Sequence, residues 1–118
     1  MNPLQNITRS AICGDALLTR SLVLDWLATS PRFSEVPKPQ VENATELAVS
    51  AGLVELLADR FKQSAPAWAA EVGPAPEPTH LLRSAKTMPR LRKMCEAESP
   101  LPLKRRLVYV PANYLDLR

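Results

Sequence analysis

The stretch ATELAVSAGLVELLADRFKQ, residues 44–63, governs how this chain reads. Leu47, Ala51, Val54, Ala58 and Phe61 recur in it by steps of three and four, the spacing at which side chains share one helix face. Glu42, Glu46, Glu55, Asp59 and Lys62 fall mostly elsewhere and read as a solvated face. Pro39 suits the first turn of a helix, so the pattern predicts a helix over residues 40–63. Gly52 interrupts it at a cost of about 1 kcal/mol relative to alanine. With Ala44 in the first position, Leu47, Ala48, Ala51, Gly52, Leu53, Ala58 and Phe61 also approach a helix-turn-helix pattern. The recognition helix of such a motif would carry Glu55 and Asp59, which meet phosphates with the wrong sign and are only partly offset by Arg60 and Lys62. A continuous helix that tolerates one glycine explains the same spacing.

On the N-terminal side, Asp15 is a good N-cap for a helix over residues 16–28, stopped by Ser30-Pro31. That helix is apolar on two sides. Val23, Leu17, Leu24 and Leu27 make one face, and Leu18, Leu22 and Trp26 make a second stripe at steps of four. A helix apolar nearly all round needs contacts on both sides. It is expected either at the centre of the domain or half covered by a partner, which includes a second copy of the chain. Residues 1–14 read as a lightly structured lead-in, without the basic start and apolar run of a signal peptide.

Residues 30–39 form a proline-containing loop ahead of the central stretch, and on its C-terminal side Ala65-Pro66-Ala67-Trp68 reads as a short helical turn. The stretch 73–78, Gly-Pro-Ala-Pro-Glu-Pro, is a rigid, extended connector. Thr79 can cap a helix over residues 81–87, which Pro89 kinks or restarts, pushing Met88 out of helical geometry. Ser99-Pro100 opens a last short helix ending near Arg106, and residues 107–118 look extended. The expected architecture is all-α: a single domain with four to five short helices, two of them within residues 15–64, a basic helical part over 79–106 and an extended tail.

Composition agrees. The chain has 118 residues, 46% of them apolar and only 5% aromatic, with 12 prolines that must cut its helices short. Leucine and alanine dominate, and both enter helices at little cost. No apolar run reaches the roughly 20 residues that span a bilayer. Cys13 and Cys95 allow one long-range disulfide by arithmetic; reduced thiols in a cytoplasmic protein are the better reading.

The sequence excludes more chemistry than it offers. It has one histidine, His80, three glycines, no Cys-x-x-Cys pair and no phosphate-binding glycine loop. No cofactor, metal site or catalytic set is expected, and His80 reads as a surface or capping residue. Charge is uneven. Residues 1–72 hold 6 Lys/Arg against 8 Asp/Glu, a net of −2; residues 73–118 hold 9 against 4, a net of +5. Arg83, Lys86, Arg90, Arg92 and Lys93 form one basic cluster, and Lys104, Arg105 and Arg106 a second. They are either a solvated face or a surface for an anionic partner, protein or nucleic acid. The tail, with Tyr109, Tyr114, Leu115 and Leu117, either packs back on its own helices or inserts into a partner groove as a set of amphipathic anchors.

Three runs are distinctive: Ala65-Pro66-Ala67-Trp68, Glu71-Val72-Gly73, and Pro76-Glu77-Pro78. So are Met88-Pro89-Arg90-Leu91-Arg92, Cys95-Glu96, Glu98-Ser99-Pro100, Arg105-Arg106 and Pro111-Ala112-Asn113-Tyr114-Leu115. Over residues 44–118 this pattern resembles a group of small bacterial proteins, some encoded beside nucleotidyltransferase-like toxin genes. The resemblance implies an antitoxin that neutralises its toxin by direct binding, and it carries no catalytic residue.

Overall fold

The computed structural model describes residues 3–115. The protein is mostly helical, with six α-helices among the described residues: α1 (Pro3–Ile12), α2 (Ala16–Leu27), α3 (Ala44–Arg60), α4 (Ala67–Ala70), α5 (Pro89–Glu98) and α6 (Leu101–Lys104). Strands β1 (Thr79–His80) and β2 (Val108–Tyr109) pair in parallel, Thr79 with Val108 and His80 with Tyr109.

The lead-in is the first departure from expectation. It is α1, which buries Leu4, Ile7 and Ala11 at steps of three and four. Its polar Thr8 and Ser10 are buried as well, because each has a hydroxyl partner. Thr8 shares a hydrogen bond with Ser50 of α3 at 2.8 Å, and Ser10 shares one with Thr19 of α2 at 2.7 Å. Gly14, at φ 79°, turns the chain back, and Arg83 Cβ lies 3.1 Å from where a Gly14 Cβ would stand. Asp15 then caps α2, its carboxylate accepting from Leu18 N at 3.0 Å.

The central helix is α3, not α2. It is shorter than the predicted 40–63, because Asn43 caps it, accepting from Glu46 N at 2.9 Å, and Pro39 lies in the preceding loop. Buried residues surround it on almost every side: Ala48 through Val54, then Leu56, Leu57 and Ala58. The chain passes Gly52 without a turn, so a helix-turn-helix break is absent from this stretch. Gly52 is required by packing. A Cβ there would collide with Leu103 Cδ2 and stand 3.3 Å from the Pro102 carbonyl oxygen, so glycine lets α6 lie directly on α3.

The connector and the tail are joined to the body. Ala75 N donates to Arg106 O at 2.9 Å, and Thr79 N donates to Leu107 O at 2.8 Å. The segment expected as a helix over 81–87 instead leaves β1 without regular structure and closes into a tight 3-10 turn, Arg83–Lys86. Met88 is extended and Pro89 opens α5. Val108, Val110 and Tyr114 are buried against the core. The two carbonyls of Ala112 and Tyr114 both accept from the Arg60 guanidinium. Ser99 Oγ donates to Val110 O and accepts from Val110 N, each at 2.9 Å. The tail therefore packs back on its own domain. Leu117 lies outside the described residues.

Candidate functional site

The expected site residues separate into structural and exposed groups. Arg106 is the plainest correction. Three consecutive cations cannot share one direction on a helical turn, since each residue advances by about 100°, and Arg106 is the one that turns inward. It is 1% exposed. Its Nη1 pairs with Glu55 and donates to Pro102 O at 2.8 Å, and its Nη2 donates to Ala69 O at 2.7 Å. Burial lowers its pKa from the ordinary arginine value, and the Glu55 carboxylate opposes that shift. Arg105 Nη2 reaches both Glu55 oxygens at 2.6 and 2.7 Å, so Glu55 is no solvated surface charge: its side chain is 14% exposed. Lys104 stays outside and donates to Ala97 O at 3.0 Å.

Two cations of the other cluster are also engaged. Arg83 donates to Cys13 O at 2.7 Å, pinning the α1–α2 turn. Arg92 donates to Ala85 O and Lys86 O. Lys86, Arg90 and Lys93 remain exposed, with no ion pair among the described residues, beside exposed Met88 and Met94. Arg90, Lys93, Met94 and Ala97 share the outer face of α5, since their steps of three and four bring them together.

Trp26, Tyr114 and Tyr109 are not free anchors. Trp26 is in the core, edge-on to Phe33 at 5.3 Å. Tyr114 is buried, which pushes its phenol up to about 12, and a hydrogen bond with Thr19 opposes that shift. Tyr109 stacks at 5.2 Å on His80, and Leu115 is half-buried. The stripe Leu18–Leu22–Trp26 thus runs from exposed to buried. Leu18 is 47% exposed and Leu22 half-buried, while on the neighbouring side Leu17 is 83% and Leu24 43% exposed.

His80 is the residue the sequence undervalued. It is half-buried on β1, in a cleft of about 430 Å³ lined by Glu77, Pro78, Lys86, Arg92 and Glu96. Its Nε2 lies 3.7 Å from Glu96 Oε1, and its buried Nδ1 has no hydrogen-bond partner. Burial pulls its pKa below 6.5; Glu96 pulls upward, Arg92 and Lys86 downward. No signal at the sequence level pointed here, because β1 and α5 meet only through the fold. The cleft can hold a proton between imidazole and carboxylate, but no hydroxyl or thiol is among its lining residues. Cys95 is buried and free, its thiol pushed up by burial and by Glu98 and Glu96; Cys13 is exposed and free. No metal-holding group of three His, Cys, Asp or Glu residues occurs among the described residues, and no helix is long and apolar enough to cross a membrane.

No family model, curated protein or solved structure matches this chain.

Proposed function

We propose that this protein is a non-catalytic binding module that acts by direct contact with another protein, in the specific form of an antitoxin for a nucleotidyltransferase-like toxin. The supporting observation is the outer face of α5 and the turn before it. Arg90 and Lys93 are exposed there and Lys86 lines the neighbouring His80 cleft, none of them in an ion pair among the described residues, and Met88 and Met94 are exposed in the same segment. Methionine is flexible and polarisable and suits a protein contact. Cations favour an acidic one, and a nucleotidyltransferase holds its metal on carboxylates and receives a nucleotide phosphate, so its mouth carries acidic groups beside basic ones. Surface charges of this kind set association rate and specificity more than affinity.

Co-expression with the product of the neighbouring gene tests the proposal. The two proteins should co-purify and growth should be restored. Arg90→Glu/Lys93→Glu should release the toxin while leaving the helical spectrum unchanged. If the pair never co-purifies and growth stays arrested, the reading fails. The same three cations favour one rival, a nucleic-acid-binding regulator. Three phosphate contacts would make the logarithm of duplex affinity fall with log salt at a slope of about −2.7. Absence of any duplex shift at low salt removes that rival.

A further inference from the structure

We propose that His80 is a proton-operated latch on β1: neutral, its imidazole closes the strand pair against α5, and protonated in mild acid it opens β1 from both. This inference is independent of the toxin-binding reading, and its test uses the protein alone.

The latch sits where the fold is thinnest. β1 is only Thr79 and His80, and it follows the connector that holds Pro74, Pro76 and Pro78. Two backbone bonds donated from this segment reach the other strand's segment: Thr79 N to Leu107 O at 2.8 Å and Leu81 N to Tyr109 O at 3.2 Å. A segment with so few bonds opens at lower cost than the core around α3. His80 joins it to three neighbours. Its ring stacks on Tyr109 of β2 at 5.2 Å and meets Glu96 and Arg92 of α5 and Lys86 of the 3-10 turn in one cleft.

That setting accepts a neutral ring and not a charged one. With its single N–H on Nε2, the neutral imidazole turns that proton toward Glu96 Oε1, 3.7 Å away, and leaves only a lone pair at Nδ1. A second proton goes to Nδ1, which is buried and has no hydrogen-bond partner. A buried N–H without an acceptor carries the whole cost of its lost hydration. The new charge also meets the Arg92 and Lys86 cations. Two carboxylates favour it, Glu96 from α5 and Glu77 from the connector. Both are exposed enough for water to screen them, the Glu96 side chain at 42%. Tyr109 contributes an uncharged ring from β2, and Cys95, buried under α5, has its thiol pushed upward and stays uncharged in this range.

Burial outweighs the carboxylates and holds the His80 pKa below the ordinary imidazole value in the closed form. Once β1 opens, the ring is hydrated and takes its proton at about 6.5. The open form then binds more protons, so the closed form's advantage is complete above that ordinary value and shrinks as pH falls toward the closed form's own. If the closed form took up no proton at all, going from about pH 7 to about pH 5 would multiply the opening equilibrium about 25-fold. Partial uptake gives a smaller factor of the same sign.

The chain has one histidine, so its imidazole signals in an NMR titration of the full chain belong to His80. They should titrate below the ordinary value of about 6.5. Amide exchange is then measured at about pH 7 and about pH 5 and expressed as protection factors, which removes the intrinsic pH dependence of exchange. Thr79 and Leu81 should lose protection by about 3- to 25-fold on acidification. At both pH values they should be less protected than Leu57 in α3, because the opening is local. His80→Phe keeps a neutral ring on Tyr109 and should reduce the acid effect to less than about twofold. His80→Gln is a second neutral replacement, and whichever of the two folds decides the point. Titration at or above the ordinary value overturns the latch. So does unchanged protection of Thr79 and Leu81 in acid, protection equal to that of Leu57, or an acid loss that persists in the neutral variant.

Discussion

Removal of the Glu55 carboxylate by Glu55→Ala should destabilise the protein far more than loss of a surface charge. In the native structure the Arg106 side chain is almost wholly buried, and Glu55 is its only counter-charge within salt-bridge distance among the described residues. Two carbonyl acceptors would remain, Pro102 O and Ala69 O, but neither neutralises a guanidinium, and Nε already lacks a partner. Breaking one side of a buried ion pair costs about 3–5 kcal/mol, because the other charge stays desolvated. A domain of this size holds roughly 5–15 kcal/mol in all. The melting temperature should therefore fall by about 12–20 °C, and the urea midpoint by about 2 M. Arg105→Ala removes the half-exposed partner of the same carboxylate and should cost about 1 kcal/mol or less. Arg106→Met in the Glu55→Ala background should recover much of the loss, since an apolar replacement removes the stranded charge. A Glu55→Ala protein whose urea midpoint moves by less than about 0.5 M would refute the assignment of Arg106 as a buried charge held by Glu55.

Gly52→Ala should lower stability by about 1–2 kcal/mol in chemical denaturation, because overpacking against Leu103 outweighs the roughly 1 kcal/mol gain in helix propensity; a stabilised variant would show that α6 moves aside freely. Ser99→Ala should cost about 1–3 kcal/mol and expose the Val110 amide to hydrogen exchange, since one hydroxyl serves both polar groups of Val110. Burial keeps the Tyr114 phenol neutral up to about 12 in the folded state. Its contribution is complete below the ordinary value of 10 and is lost as pH rises through 12, so alkaline unfolding should begin above pH 10 and carry about 2–3 kcal/mol. Tyr114→Phe should abolish that part of the pH dependence in equilibrium melts.

Local signals were legible where the chemistry is local. Asp15 as a cap, Pro89 as the first residue of a helix, and the three-and-four spacing from Leu47 to Ala58 all follow from neighbours in sequence. What escaped depends on partners far along the chain. Thr8 and Ser10 make α1 look too polar to pack, until Ser50 and Thr19 satisfy their hydroxyls. Leu4, Ile7 and Ala11 carried the periodic signal that was there to be read. Arg106 looks like its neighbours Lys104 and Arg105 until Glu55 faces it. Thr79 looks like a cap because β2, its true partner, lies at Val108. Of the surfaces first singled out, the α2 leucines and part of the Arg83–Lys93 cluster remain exposed, while Tyr114 joined the core and Tyr109 is half-buried against His80.

The burial of α3 on almost every side has a consequence for synthesis. Leu103, Val108, Val110 and Tyr114 all belong to its cover, and all follow it in the chain. On the ribosome, at about 5–20 residues per second, α3 is complete roughly 3–10 s before that cover is made. During this interval the nascent chain presents its most buried helix covered only by the segments that precede it, α1 among them, and burial becomes complete only as the final turn docks. Chains arrested before and after Val110 and then pulsed with protease should differ sharply in their resistance around Leu53–Leu57, which would time the closure directly.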